Sequence, residues 1–331
     1  MQKVEVWIWN KIQLFGRTLV AGAIAFLILT GFSIFYYNIP MSYDCEDGST
    51  DYKWASNVFY ARGTEGFCWG KTNNEGYINS IDYRRGTPID VLIIGSSQME
   101  AFQVRQEEST TYLLNNLLNN WVVYNIGISG HTFPICVDNL DAAVQKYHPS
   151  KYIVIETSDI CFPDDILNDV ITDARVKVGT HSDGIIGHLK ANPYIRLIWN
   201  QVQNYMETTR AETEISNYSN DAELLSALLK KIKKSADMSG AKAIVIYHPA
   251  IKLDSDGSIL FDYNAIALEQ FKRLCEKNGI CFLDMSDRFK QEYSKSHILP
   301  YGFSNSSVGS GHLNKNGHAM IADELYQLME G

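Results

Sequence analysis

The sequence lacks an excess of positive charge. Its 331 residues hold 29 lysines and arginines against 38 aspartates and glutamates, a formal net charge of −9. A chain with this balance has no overall basic field with which to hold the phosphates of a nucleic acid. Nucleic acid is therefore not expected among its partners.

Paired metal-binding cysteines and internal repeats are missing as well. No two of the six cysteines stand in C-x-x-C spacing, and three scattered histidines (His131, His248 and His318) have no ligand spacing, so we expect no metal and no other cofactor. With 45% hydrophobic and 20% charged residues the composition is that of an ordinary globular protein. A chain of this length forms a sizeable core without metal or disulfides.

One long apolar run is present near the N-terminus. Residues 18–37 carry no charge and have about the 20 residues that a membrane-spanning helix needs, so they predict an anchor. Positive residues precede the run and acidic residues follow it: Lys3, Lys11 and Arg17 before, Asp44, Glu46, Asp47 and Asp51 after. The positive-inside rule then places residues 1–17 in the cytoplasm and everything after the anchor outside.

Two other interpretations of the run stay open. A cleaved signal peptide is the first, although the run exceeds a typical signal core and no A-x-A-like site follows it. A buried core helix is the second, although such helices seldom run this long without a polar face. An oxidising exterior would permit disulfides, and the candidate pairs are Cys45–Cys68, Cys275–Cys281 and Cys136–Cys161. Free buried thiols are the alternative.

Residues 38–88 lack sustained periodicity and predict a stalk followed by an irregular cap. Beyond them, short runs rich in β-branched residues alternate with helical patterns, which predicts βαβ units and a parallel α/β sheet. The runs lie at 90–95, 121–127, 151–156, 242–247 and 280–285. Residues 162–221, between the third and fourth runs, are too many for a plain crossover and predict a helical insertion near the substrate pocket.

The first strand leads directly into Gly95-Ser96-Ser97-Gln98. A serine on such a turn lies in the crevice at the carboxyl end of a parallel sheet, beside helix amides, where a nucleophile is expected. A simple helix cap is the alternative, since the G-x-S-x-G nucleophile motif is absent. Near the C-terminus His312 stands in a loop before the last helix, and imidazole is the side chain suited to activate a serine. A hydrogen-bonded loop histidine is the alternative there.

The motifs IGSSQ around Ser97, NIGISGHT around Gly130 and HLNKNGH around His312 resemble the first, second and fifth blocks of the SGNH (GDSL-type) hydrolase superfamily. The Gly-Ser-Ser form with an N-terminal anchor is similar to the branch tied to bacterial cell-envelope acyl modification. The resemblance covers residues 90–329. It implies an α/β fold, a three-layer flavodoxin-like sandwich with a five-stranded parallel sheet over residues 89–331.

The same resemblance implies roles for particular residues. Ser97 is expected to be the nucleophile and His312 its base, with the backbone amides of Ser97 and Gly130 as oxyanion donors. The family's further oxyanion donor, an asparagine, is absent, and Ser158 offers a hydroxyl in that turn. The family's acid, three residues before the histidine, is replaced by Gly309, so we expect a Ser-His dyad whose histidine is oriented by a backbone carbonyl or by a carboxylate from elsewhere. Asp284 is the candidate carboxylate, because all strand ends converge on the same crevice, with a helix cap or turn residue as its alternative.

Four more residues are expected to line the substrate pocket: Gln98, His131, Asp159 and His248. His318, on the terminal helix, is expected to be structural. The resemblance implies an extracytoplasmic serine esterase that removes or transfers an O-acyl group, acetyl by analogy, on a cell-envelope carbohydrate. An inactive protein of the same fold that binds glycan or a partner is the alternative, and a component of an acyl-transfer assembly with partner proteins is a further one.

Overall fold

A computed structural model describes residues 2–40, 42–44, 52–172, 192–210, 218–219, 221–261 and 263–331. Its helices are α1 (Gln2–Tyr36), α2 (Ser97–Glu100), α3 (Thr110–Leu117), α4 (Phe133–Asp138), α5 (Leu140–Tyr147), α6 (Asp164–Ile171), α7 (Pro193–Arg210), α8 (Ala222–Ser239), α9 (Ala265–Lys277), α10 (Ser286–Ser296) and α11 (Lys315–Glu330), with a 3₁₀ turn at Gln106–Glu108.

The strands are β1 (Tyr37–Asn38), β2 (Ser42–Asp44), β3 (Tyr52–Trp54), β4 (Phe59–Arg62), β5 (Cys68–Lys71), β6 (Ile89–Ile94), β7 (Val123–Asn125), β8 (Pro149–Thr157), β9 (Phe162–Pro163), β10 (Tyr218–Ser219), β11 (Lys242–Tyr247), β12 (Ile251–Leu253), β13 (Ile259–Phe261), β14 (Cys281–Asp284), β15 (Tyr301–Gly302) and β16 (Val308–Leu313). The chain divides into two compact units, residues 1–39 with 181–213, and residues 40–180 with 214–331.

The first unit contains a long apolar helix. Within α1, the stretch Val6–Tyr36 contains an 18-residue window with a mean hydropathy of 2.2, and only 6% of that window is buried. By length and composition this helix is able to cross a membrane. Helix α7 packs on it, with the rings of Phe26 and Tyr194 in an edge contact at 6.0 Å.

The second unit is built on a five-stranded sheet in the order β14-β11-β8-β6-β7, with every neighbouring pair parallel. Numbered along the chain this is the order 2-1-3-4-5, which is the flavodoxin-like arrangement. Strands β6, β7 and β11 and the second half of β8 are buried on both faces, as their nearly continuous apolar sequences predict, whereas the edge strand β14 is partly exposed. The predicted fold class is confirmed.

Alternating side chains of the central strand β6 serve the two faces of the sheet. Leu92 and Ile94 pack into one core with residues of α4, α5, α8 and α9. Val91 and Ile93 pack into the other with residues of α3, α10 and α11. This period of two is what a pleated strand imposes, and it produces the three layers. The carboxyl ends of β6, β7 and β8 then share one edge of the sheet.

Residues 52–88 contain β3, β4 and β5 and pack beside the end of α2. Strands β4 and β5 pair antiparallel, and the ring of Tyr60 meets that of Phe102 edge to face at 4.7 Å. Tyr60 and Phe102 are both almost wholly buried. Far along the chain, β9 and β10 pair antiparallel at the two ends of the predicted insertion.

The expected disulfides are not formed. Five cysteines lie among the described residues, and none of them forms a disulfide there: Cys68, Cys136, Cys161, Cys275 and Cys281. Cys275 is fully buried on α9, whereas Cys281 is exposed on β14. The Cys68 thiol donates to the Phe102 carbonyl at 2.8 Å. The predicted pairs Cys275–Cys281 and Cys136–Cys161 are therefore wrong, and Cys45 lies outside the described residues.

His318 links α11 to α3 in the interior. Its side chain is 1% exposed, and its Nδ1 lies 2.9 Å from the Thr110 hydroxyl. Burial lowers the pKa of His318 to about 3 from 6.5, so the imidazole is neutral in the folded protein at neutral pH.

This neutral histidine predicts a specific acid sensitivity. Between pH 6.5 and about 3 the unfolded chain takes up a proton that the folded chain refuses. The free energy of unfolding should therefore fall with pH, by up to about 1.4 kcal/mol per pH unit from this group. His318→Gln keeps a hydrogen-bonding side chain and removes the part of the pH dependence that comes from His318. Denaturant unfolding of both proteins should show their stabilities converging as the pH falls; parallel curves would contradict the assignment.

Candidate active site

Ser97 begins the helix that follows the central strand. β6 ends at Ile94, and the Ser96 hydroxyl caps α2 by accepting a hydrogen bond from the Gln98 amide at 3.2 Å. Gly95 is required in this turn, because a Cβ there would stand 2.6 Å from a carboxylate oxygen of Glu156. The turn leaves Ser97 half-buried at the carboxyl edge of the sheet.

His312 meets Ser97 across this edge. Its Nε2 lies 3.0 Å from Ser97 Oγ. The neighbouring Gln98 side chain binds the backbone on either side of His312. Its Oε1 accepts from the Leu313 amide at 2.7 Å, and its Nε2 donates to the Gly311 carbonyl at 3.4 Å. Gln98, expected only to line the pocket, thus also fastens α2 to β16.

The carboxylate on the other side of His312 is Glu65. Its Oε2 lies 2.6 Å from His312 Nδ1, and its Oε1 accepts from the His312 backbone amide at 2.8 Å. Burial alone would raise the pKa of Glu65, but its hydrogen bonds to His312 and the charge of that ring outweigh burial, so the pKa lies below its ordinary value. Glu65 is therefore ionised at neutral pH, and it fixes ring and backbone together.

Asn305 holds the loop that carries Glu65. Its Nδ2 donates to the carbonyls of Gly63 at 2.8 Å and Gly66 at 2.7 Å, and its Oδ1 accepts from the Gly66 amide at 3.0 Å. Gly66 has φ +70°, and a Cβ there would stand 2.2 Å from the Gln103 carbonyl oxygen. The loop is thus fixed to the β15–β16 hairpin, whose second strand bears His312.

Asp284, expected to orient His312, is placed elsewhere. Its Oδ1 accepts from the Ser286 amide at 2.9 Å and from the Ser286 hydroxyl at 2.5 Å, which caps α10. The structure brings Glu65 to His312 in its place. Sequence reasoning missed Glu65 because it lies 247 residues before His312, in a segment without periodicity, and no spacing rule connects the two.

A small pocket of about 210 Å³ opens beside Ser97. It is lined by Gly130 and by three further residues expected at the site, Ser158, His131 and Asp159. Gly130 adopts φ +89°, a backbone conformation that favours glycine. Among the described residues, neither the Ser97 amide nor the Gly130 amide has a hydrogen-bond acceptor, so both are open to a ligand in this pocket.

The loop that carries Gly130 is tied to α2. The buried Glu100 carboxylate accepts hydrogen bonds from Trp54 Nε1 and from the Ser129 hydroxyl. Burial raises the pKa of Glu100, an effect that these donors and Arg62 only partly offset. Asn125 adds a second tie, because its Nδ2 donates to the Met99 carbonyl at 2.7 Å. The nucleophile turn and the Gly130 loop are therefore one connected piece.

His248, expected to line the pocket, is instead wholly buried beneath it. Its Nε2 lies 2.7 Å from Glu156 Oε1 and its Nδ1 lies 2.8 Å from the Tyr301 hydroxyl. The other oxygen of Glu156 accepts from the Ser96 amide at 2.7 Å. Burial alone would raise the pKa of Glu156, but His248 and the Ser96 donor outweigh it and the pKa is lowered. A buried chain of contacts thus runs from the nucleophile turn to β15.

No family model matches the sequence, and no curated protein matches it. Many similar solved structures are SGNH or G-D-S-L hydrolases and esterases.

Three of these structures illustrate the similarity. A two-domain esterase active on acetylated mannans gives a TM-score of 0.43 at 12% identity, over 73% of this chain and 49% of that one, so this chain spans about half its length. An acetyl xylan esterase gives 0.41 at 15% identity, over 72% and 98%. A member of the lipolytic G-D-S-L family from Veillonella parvula gives 0.38 at 14% identity, over 73% and 98%.

Proposed function

We propose that this chain is a membrane-anchored serine ester hydrolase of the SGNH type, acting on an O-acyl group of a cell-envelope carbohydrate. The observation that carries the proposal is the line of contacts from Ser97 Oγ through the His312 ring to Glu65, at 3.0 Å and 2.6 Å. A serine next to an imidazole, with a carboxylate on the second ring nitrogen, is the arrangement that activates a hydroxyl as a nucleophile.

The reaction follows from these contacts. Ser97 Oγ attacks the ester carbonyl while its proton passes to His312 Nε2, and Glu65 holds the Nδ1 proton and stabilises the imidazolium. The amides of Ser97 and Gly130 donate to the developing oxyanion. His312 then protonates the departing alcohol. Water attacks the acyl-enzyme to release the acid, or a second alcohol attacks it and receives the acyl group.

The pocket beside Ser97 favours a short acyl group. Its volume is about 210 Å³, and its walls include the polar side chains of Ser158 and Asp159. An acetyl group suits this space better than a long hydrocarbon chain, which needs an extended apolar channel. We propose the Ser158 hydroxyl as a third oxyanion donor in place of the family's asparagine, since it lines the same pocket.

Labelling of the nucleophile tests the reaction class. Ser97→Ala should abolish labelling of the detergent-solubilised chain by a fluorophosphonate probe and lower hydrolysis of p-nitrophenyl acetate by at least about a thousandfold. Ser96→Ala is the matched control. It removes a helix cap, at about 1 kcal/mol of stability, and a side-chain contact with Glu156, but it leaves the Ser97 hydroxyl in place and should keep the label. A folded wild-type protein that takes no label would favour the inactive glycan-binding alternative.

Exchange of two carboxylates tests the acid. Glu65→Gln leaves a neutral amide beside His312 and should lower kcat by about 10² to 10⁴-fold, because the ring loses the partner that fixes its tautomer and stabilises its charge. Asp284→Asn alters a helix cap alone and should keep kcat near the wild-type value. Comparable losses in both variants would argue against Glu65 as the orienting acid.

We further propose that α1 anchors the protein with residues 1–17 in the cytoplasm and the sheet domain outside. Basic residues before the apolar run and acidic residues after it support this orientation. The exposed free thiol of Cys281 supplies the test. A membrane-impermeant maleimide should label Cys281 in intact spheroplasts, by comparison with Cys281→Ser. Labelling that requires lysis would place the domain in the cytoplasm.

A further inference from the structure

A second concavity lies beside the loop that carries Glu65. This groove has a volume of about 400 Å³, and the residues used below that line it are Phe67, Gln103, Arg105, Glu108, Phe303 and Lys315. Phe67 follows Glu65 by two residues. Phe303 lies 3.1 Å from where a Cβ of Gly66 would stand, so its ring packs on the loop that presents Glu65. The groove therefore adjoins the loop that presents Glu65.

Gln103 shows that the groove is built to bind something polar. Its side chain is 3% exposed, it lines the groove, and its amide makes no hydrogen bond to any residue that the structure describes. The amide is not sealed from solvent: it reaches the open space of the groove, where it can hydrogen-bond to water or to a ligand. A primary amide both donates and accepts, which matches a hydroxyl group.

The aromatic walls narrow the class of ligand. Phe67 is 60% exposed, and Trp69 beside it is 52% exposed, with the two rings 5.5 Å apart in an edge contact. Exposed rings beside a cleft are typical of binding surfaces for ligands with an apolar face. A sugar ring has such a face and carries hydroxyls along its edge.

The charges in the groove favour a neutral ligand. The Arg105 guanidinium pairs with the Glu108 carboxylate at 2.7 Å, so it is already engaged. Its hydrogen bond and charge lower the pKa of Glu108, and Lys315 contributes to the same shift. The positive groups are thus directed at Glu108, and a ligand carboxylate or phosphate would have to compete with it.

We propose that this groove is a subsite for a neutral sugar residue of the substrate, stacked on Phe67 and Phe303 and hydrogen-bonded by Gln103. The proposal rests on the function proposed above. The pocket beside Ser97 would hold the acyl group, and the groove would hold the carbohydrate that carries it or the residue next to it. Because the pocket and the groove share no lining residue, substrate size should decide which variants matter.

Kinetics with a small and a large ester test this subsite. Phe67→Ala and Gln103→Leu, in the detergent-solubilised full chain, should each raise KM for O-acetylated xylotriose about tenfold, as expected for losing roughly 1.4 kcal/mol of binding. Their kcat/KM for p-nitrophenyl acetate should stay at the wild-type value. Leu260→Ala, at an exposed apolar position on β13 outside the groove, is the control for Phe67→Ala and should change neither.

The outcomes separate the two proposals. Parallel losses on both esters would mean that these residues act through the fold, and an unchanged KM for the xylotriose ester would mean that the groove is empty during turnover; either overturns the subsite and leaves the esterase standing. A KM that rises steeply with salt would indicate an anion on Lys315 and overturn the neutral ligand.

Direct binding keeps the subsite testable even without turnover. If wild type hydrolyses neither ester, the esterase fails, and calorimetric titration of the Ser97→Ala chain with O-acetylated xylotriose decides the subsite. Binding that Phe67→Ala abolishes supports it, and the absence of binding by the Ser97→Ala chain overturns it.

Discussion

The geometry of the site depends on one carboxylate that reaches His312 from outside the sheet. Glu65 accepts from the backbone amide of His312 and contacts the Nδ1 of its ring, so a single side chain fixes both the strand and the imidazole that it carries. Because Glu65 fixes the Nδ1 side of the ring, the orientation of the imidazole is set and its Nε2 points to Ser97. Asn305 and Gln98 reinforce this from the hairpin side and the helix side.

Two further buried carboxylates brace the nucleophile turn. Glu156 accepts from the Ser96 amide and is balanced by His248, while Glu100 receives Ser129 and Trp54. Buried acids are costly without partners, and each of these has at least two. The arrangement makes the turn and the Gly130 loop rigid, which is what oxyanion donors require if they are to be in place before the charge develops.

The sequence was sufficient to predict the parts of the site that follow from the sheet. Buried β-strands are recognisable by composition, and parallel strands bring their carboxyl ends to one edge, so Ser97 and Gly130 could be placed near each other. His248 and Asp284 were placed at the same edge by the same rule. One turned inward to satisfy Glu156, and the other capped α10, because a strand-end position does not determine where a side chain points.

Glu65 could not be found in this way, because irregular segments have no period from which to infer a position. The structure gives residues 52–88 their order through contacts made with other parts of the chain, such as the ring contact of Tyr60 and Phe102 and the Asn305 bonds to the Glu65 loop. Secondary-structure propensity depends on neighbouring residues and does not predict contacts between residues so far apart in the sequence.

The separate origin of Glu65 also bears on how the fold can be divided. A domain boundary at residue 89, where β6 begins, keeps every strand of the five-stranded sheet together with Ser97 and His312. It removes Glu65, so the Nδ1 side of the His312 ring would face solvent. Transfer of the sheet alone to another protein would carry Ser97 and His312 without the carboxylate that contacts His312. The site therefore needs both the sheet and the irregular segment before it.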